Sequence, residues 1–101
     1  MKSILILFII FSSHIIFAQE NYSIKGAVTD LETNKPVQFA SLNLEELSVS
    51  TMTNLTGNFE FINIPQGIYD IIVSRTGYKT NTVITEVKEN VNNLNIKLEK
   101  T

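Results

Sequence analysis

The sequence has no cysteine and no tryptophan, only two prolines and four glycines, and a single histidine, His14. Without cysteine there is no disulfide to staple a small domain, no thiol nucleophile and no lipidation site of the lipobox kind. Charge of either sign is also scarce. Eight Lys plus Arg stand against ten Asp plus Glu, a formal net charge of −2. No basic stripe runs along any segment, so a nucleic-acid surface and an electrostatic hold on acidic lipid are not expected. At 101 residues the chain is long enough for one small domain. A 44% hydrophobic content is too high for a disordered polymer.

The one long apolar stretch lies at the N-terminus. Lys2 precedes the unbroken run from Ile4 to Phe11, and Ile15 to Phe17 extend it past Ser12, Ser13 and His14. A membrane-spanning helix needs about 20 apolar residues, and this run is shorter and interrupted. Ala18, followed by polar Gln19 and Glu20, supplies the small residue of a cleavage site. Residues 1–18 are therefore expected to be a signal peptide, and residues 19–101 the mature domain. Removal of residues 1–18 leaves seven basic and ten acidic residues and no histidine. After cleavage no stable membrane insertion is expected. An exported domain without disulfides must rely on its core and its hydrogen-bonded ladders.

In the mature region the apolar residues recur with a period of two, not 3.6, between turn residues. Ile24, Gly26 and Val28 share one face of a strand over 22–29, and a polar loop follows over 30–36. Asn34 is its expected left-handed residue. A second strand is expected over 37–45, with Ala40, Leu42 and Leu44 inward and Phe39 at the rim. A thin strand over 48–53 comes next, then a turn in which Gly57 takes positive φ. Phe59, Phe61 and Ile64 line a fourth strand. Pro65-Gln66-Gly67 reads as a tight turn in which Pro65 presets φ and Gly67 takes the strained position. Tyr69, Ile71 and Val73 alternate over 68–75, and Thr80 to Val87 forms a sixth strand. A polar turn over 88–93 leads to a seventh carrying Leu94, Ile96 and Leu98. Seven short strands at about ten-residue spacing predict an all-β, antiparallel, two-sheet sandwich.

The chemistry available to that domain is thin. With no histidine or cysteine after residue 18, zinc sites and Ser-His-Asp relays are excluded. The glycines Gly26, Gly57, Gly67 and Gly77 are scattered singly, so there is no phosphate-cradling loop. Glu45 and Glu46 are adjacent and are expected on opposite faces of a strand. Asp30 and Glu32 share a loop, where solvated surface charge is the expected state and a calcium site lacks its third and fourth carboxylates. Arg75, the sole arginine, ends a strand, where it either solvates the terminus or anchors an interface. Tyr22, Tyr69 and Tyr78 are expected in core and corner positions rather than as a sugar platform. No catalytic, cofactor-binding or metal-binding residue is predicted, and the domain is expected not to be an enzyme.

The spacing of the turns carries a resemblance. Gly26-x-Val28-x-Asp30, Thr33-Asn34-x-Pro36-Val37 and Ala40-x-Leu42-x-Leu44 come first. Thr53-Asn54-x-x-Gly57-x-Phe59-x-Phe61, Ile64-Pro65-x-Gly67-x-Tyr69 and Val73-Ser74-x-x-Gly77-Tyr78 follow. The series resembles the carboxypeptidase-regulatory-like domain over nearly all of the mature chain. Asn34 replaces the family's usual glycine and Asn54 its usual aspartate, each within reach of a turn through its own side chain. The resemblance implies a prealbumin-like (transthyretin-like) Greek-key sandwich of seven strands and a non-catalytic accessory role. A similar domain follows the signal peptide of many TonB-dependent outer-membrane receptors, ahead of the TonB box. The resemblance thus implies a periplasmic or secreted location in a Gram-negative cell envelope. The implied partner is an envelope protein, such as an outer-membrane receptor or a glycan-uptake component. Three forms remain open: a free-standing module, the N-terminal stub of a receptor, and a small carbohydrate-binding domain.

Overall fold

A computed structural model describes residues 20–101. The expected signal peptide lies outside the described residues. Among them are seven strands: β1 (Asn21–Asp30), β2 (Ser41–Leu44), β3 (Val49–Met52), β4 (Asn58–Pro65), β5 (Gly67–Ser74), β6 (Asn81–Val87) and β7 (Val91–Leu98). They form a three-stranded sheet ordered β4-β1-β7 and a four-stranded sheet ordered β3-β2-β5-β6. The two inner faces enclose one core of Ile24, Val28, Leu42, Leu44, Phe61, Ile64, Ile71, Val73, Ile96 and Leu98, among others. Phe59 and Phe61 meet edge to face with centroids 6.1 Å apart, the arrangement the ring quadrupoles favour. No helix among the described residues is long and apolar enough to cross a membrane.

The alternation assigns most faces as expected, because each strand buries one side only. Tyr69, Ile71 and Val73 are buried, whereas Ile68 is exposed and Asp70, Ile72 and Ser74 are half-buried. β3 is an edge strand of four residues. Asn34 and Gly57 take positive φ, 62° and 76°.

Five expectations are corrected. The sandwich is not wholly antiparallel, since β1 pairs with β7 in parallel, Val28 opposite Ile96 and Asp30 opposite Leu98. β1 therefore sits between an antiparallel and a parallel partner, the latter 67 residues or so away along the chain.

The second strand begins at Ser41, not Val37. Residues 37–40 form a loop instead, because their backbone groups find partners outside any ladder. Val37 N–H donates to the Val28 carbonyl at 2.9 Å, and Phe39 N–H to the Thr53 carbonyl at 3.1 Å.

Gly67 is not left-handed and opens β5 directly. Tyr69 folds back over this corner, its hydroxyl donating to the Pro65 carbonyl at 2.7 Å. A Cβ on Gly67 would lie 3.0 Å from that hydroxyl. The left-handed residue here is Asn63, φ 58°. It belongs to a bulge in β4, where Tyr22 faces Ile64 but Ile24 faces Phe61. Ile62 and Asn63 are both exposed, and the extra residue returns Ile64 to the core face.

Glu45 and Glu46 do not lie on a strand. They open a 3-10 turn, Glu45–Leu47, which closes on Ser48 in the left-handed region. A second bulge also shifts the start of the seventh strand: Ile24 pairs with Val91 and Gly26 with Leu94, so residues 91–93 of the polar turn expected over 88–93 are part of β7. Gly26 is required at this point. A Cβ there would overlap the Leu94 carbonyl and the Phe59 ring.

Candidate functional site

The titratable residues singled out from the sequence take structural positions. Asp30 is the clearest case, and the expectation of a solvated carboxylate there is wrong. It continues the inward face of β1 and is buried, 3% exposed. Oδ1 accepts the backbone N–H of Glu32 at 2.9 Å and of Thr33 at 3.1 Å. Oδ2 accepts the Tyr78 hydroxyl at 2.9 Å and lies 3.7 Å from the Lys100 ammonium. The Thr33 N–H is the main cause that holds the carboxyl down to about 2, aided by Tyr78, Glu32 and Lys100 and opposed by burial. Burial, and then the bond to Asp30, push the Tyr78 phenol up. Three hydrogen bonds and the Lys100 contact engage both carboxylate oxygens and tie the loop after β1 to Tyr78 and to the last residues of the chain. Glu32 is exposed and meets Asp30 through its backbone N–H. Among the described residues no three His, Cys, Asp or Glu side chains gather where they could hold a metal ion.

The tyrosines are dispersed. Tyr69 closes the β4–β5 corner, Tyr78 meets Asp30, and Tyr22 donates to the Glu20 carboxylate at 2.7 Å. Glu46 accepts the Asp70 N–H at 3.2 Å, and Asn54 Oδ1 takes the N–H of Thr56 and of Asn58 at 3.0 and 2.9 Å. Asn54 thereby fills the turn position expected of it.

Open recesses mark the surface. One is an open groove of about 650 Å³ across β1, β4 and β7. Asn58, Asn92, Asn93 and Asn95 line it beside the Lys25–Glu60 ion pair at 3.8 Å. The β7 bulge places the Asn92-Asn93 pair at its rim. Another is a recess of about 310 Å³ at the Ser41 end of β2, lined by Phe39, Ser41, Ser74, Arg75 and Thr76. Sequence alternation marked Phe39 and Arg75 but gave no sign that they meet. What joins them is a bond of Arg75 Nε to the Gln38 carbonyl at 2.7 Å, spanning 37 residues.

The comparisons with known proteins follow this geometry. The family model described as CarboxypepD_reg-like domain matches residues 24–101. No sequence among the curated proteins matches the chain. Among solved structures, the Bacillus anthracis TIE protein is 21% identical with a TM-score of 0.61, over 80% of this chain and 17% of that one. A cohesin-X-dockerin complex from Acetivibrio cellulolyticus matches at 16% identity and a TM-score of 0.66, over 78% of this chain and 58% of that one. A Bacteroides uniformis protein, provisionally classed as carbohydrate-binding, matches at 17% identity and a TM-score of 0.61, over 77% and 41%. The chain spans between 17% and 58% of the length of these structures, and at such identities the likeness is one of fold.

Proposed function

The chain belongs to the CarboxypepD_reg-like domain family, and from that premise we propose that it is an exported, non-catalytic interaction module that binds a protein of the cell envelope. The observation that carries this reading is the division of labour among its polar groups. The buried Asp30 carboxylate is engaged by Glu32, Thr33, Tyr78 and Lys100, while the surface retains open recesses and exposed apolar side chains. Ile68 and Ile84, 66% and 73% exposed, lie on the outer face of the four-stranded sheet. Asp70 faces Ile84 across the β5–β6 ladder, which puts Ile68 and Ile72 diagonally beside Ile84. Grouped apolar residues on an outer sheet face are a common element of protein interfaces.

Export follows from the Lys2 and Ile4–Phe11 pattern ahead of Ala18, and it has a direct test. Expressed in a Gram-negative host, the chain should appear in the periplasmic or culture fraction with Gln19 as its first residue. A full-length product confined to the cytoplasm would rule export out. Binding is tested by immobilising the processed protein and identifying envelope proteins it retains at high loading. Retention of none would remove the interaction role.

A carbohydrate-binding role has one feature in its favour, the asparagine-lined groove. Amide side chains both donate and accept, as ligand hydroxyls do. Calorimetric titration with soluble polysaccharides separates the two roles. Heat that disappears in Asn93→Ala and Asn95→Ala would favour the glycan.

A further inference from the structure

We propose that Phe39 and Arg75 form a docking point for an extended, acidic segment of a partner protein. This rests on the interaction-module reading and names the surface and the chemistry that reading leaves open.

Among the described residues four non-glycine residues have positive φ: Asn34, Phe39, Ser48 and Asn63. Three of these are small polar residues of the kind that turns tolerate. Phe39, at φ 55°, is the exception. A bulky side chain is disfavoured there, and such strain persists only where surrounding bonds impose it. The surrounding bonds are plain. Thr53 Oγ1 accepts the Ala40 N–H at 2.7 Å and donates to the Val37 carbonyl at 2.7 Å. The Phe39 N–H reaches the Thr53 carbonyl at 3.1 Å, and Arg75 holds Gln38.

The strain gains no core packing for the ring, because Phe39 is 49% exposed. Glycine would satisfy the same backbone without it. The loop thus presents an aromatic ring to solvent in a fixed orientation, with its ordering entropy already spent by the fold.

The floor beside the ring sets the chemistry of what fits. Ser41 and Ser74 face each other across the β2–β5 ladder, and together with Thr76 they line the recess with hydroxyls. Arg75 is the recess's only charged residue. It forms no ion pair among the described residues, and its one recorded bond uses Nε. The terminal guanidinium nitrogens are left to take a carboxylate, which they match in planar, two-pronged fashion. On a domain whose mature charge is net negative, this is a local positive point flanked by an apolar surface. A volume of about 310 Å³ accepts one or two side chains rather than a folded element. An acidic residue on Arg75 next to an apolar residue on the Phe39 ring fits both features. A neutral sugar would use the ring and leave the guanidinium unmatched.

The test uses the full chain, expressed so that any N-terminal processing occurs, as the target for a library of displayed random peptides. Enriched peptides are then titrated against purified variants. Peptides carrying Asp or Glu next to an apolar residue are the expected outcome. Their affinity should fall about tenfold or more in Phe39→Gly and in Arg75→Ala. Lys88→Ala, in the exposed turn between β6 and β7 at the far end of the sheet, should change it less than about twofold. Phe39→Gly should keep or raise the thermal midpoint, since it relieves the backbone, so lost binding there cannot be lost folding.

Selected peptides that bind Phe39→Gly as tightly as the parent would overturn the docking point and leave the interaction role standing. Peptides without acidic residues would overturn the assigned chemistry. If no peptide is enriched and a soluble polysaccharide binds in a Phe39-dependent way, the ring serves a glycan and the peptide assignment fails. If neither binds, the assignment and the interaction role fail together.

Discussion

Two threonines, Thr53 and Thr85, show how much the partner of a buried hydroxyl decides. Thr53 is 1% exposed and bridges a backbone N–H and a carbonyl of the 37–40 loop. Thr53→Val keeps the shape and orphans both groups. It should cost about 1–3 kcal/mol in urea or thermal unfolding. Thr85 is 7% exposed, and its Oγ1 has no partner among the described residues. Thr85→Val removes an unsatisfied group without opening a cavity. It should leave stability unchanged or raise it by up to about 1 kcal/mol. Equal losses in the two variants would contradict the assigned hydrogen bonds.

Asp30 adds a pH dependence at the same scale. Its carboxyl sits at about 2 in the folded chain against an ordinary 3.8. The folded state therefore binds the proton less readily than the unfolded chain. The stabilisation is complete above about pH 4 and disappears as the pH falls through about 2. Unfolding midpoints measured across that window should fall more steeply for the parent chain than for Asp30→Asn. Parallel curves would mean that the Thr33, Glu32 and Tyr78 bonds do not discriminate the charged form.

At the scale of elements, the regular strands were legible in the sequence and their interruptions were not. Alternation located β5 and assigned its buried face, because one side of that strand meets a core and the other meets water. Asn34 and Gly57 were legible because their local chemistry tolerates left-handed backbone at low cost. The 37–40 loop was not, since Val37 and Ala40 look like strand residues until Thr53 and Arg75 bind the intervening backbone. Nor was the burial of Asp30, which depends on donors from Tyr78 and Lys100, 48 and 70 positions further along. The recess containing Phe39 was illegible for the same reason, its lining coming from two separated segments. At the β4 bulge Ile64 was legible as a core residue from its apolar side chain, whereas the skipped residue that puts it there, against an alternation from Phe61 that would bury Asn63, shows only in the pairing to β1. Asn63→Gly should be neutral or mildly stabilising, by up to about 1 kcal/mol, because the position is left-handed and exposed. Asn63→Val should destabilise by about 1–2 kcal/mol through strain at the same φ. Thermal midpoints of the two variants check this, and a more stable valine variant would place the bulge elsewhere.

For the whole molecule, the parallel pairing of β1 with β7 is the decisive contact. β1 is the first strand and β7 the last, and between them Val28 meets Ile96 and Asp30 meets Leu98. Ile96 and Leu98 are fully buried members of the core. The terminal residues add Tyr78–Lys100 bridging and a Thr101 N–H bond to the Gly77 carbonyl at 3.0 Å. A domain of this size has total stability of about 4–12 kcal/mol. Phe61→Ala alone should remove about 3–5 kcal/mol of it. Removal of β7 takes away two core side chains, one whole ladder and the Lys100 contact of Asp30, a loss no domain of that stability survives. A chain ending at Asn90 should therefore show no cooperative thermal transition and no strand-rich far-ultraviolet spectrum. The intact chain should refold slowly, in milliseconds to seconds, because its central strand cannot be completed until its most distant partner arrives. The kinetic and truncation experiments test the same contact independently. A cooperative transition in the chain ending at Asn90 would show that β4 and β1 hold without β7. Microsecond refolding of the intact chain would show that the long-range ladder forms after the rate-limiting step.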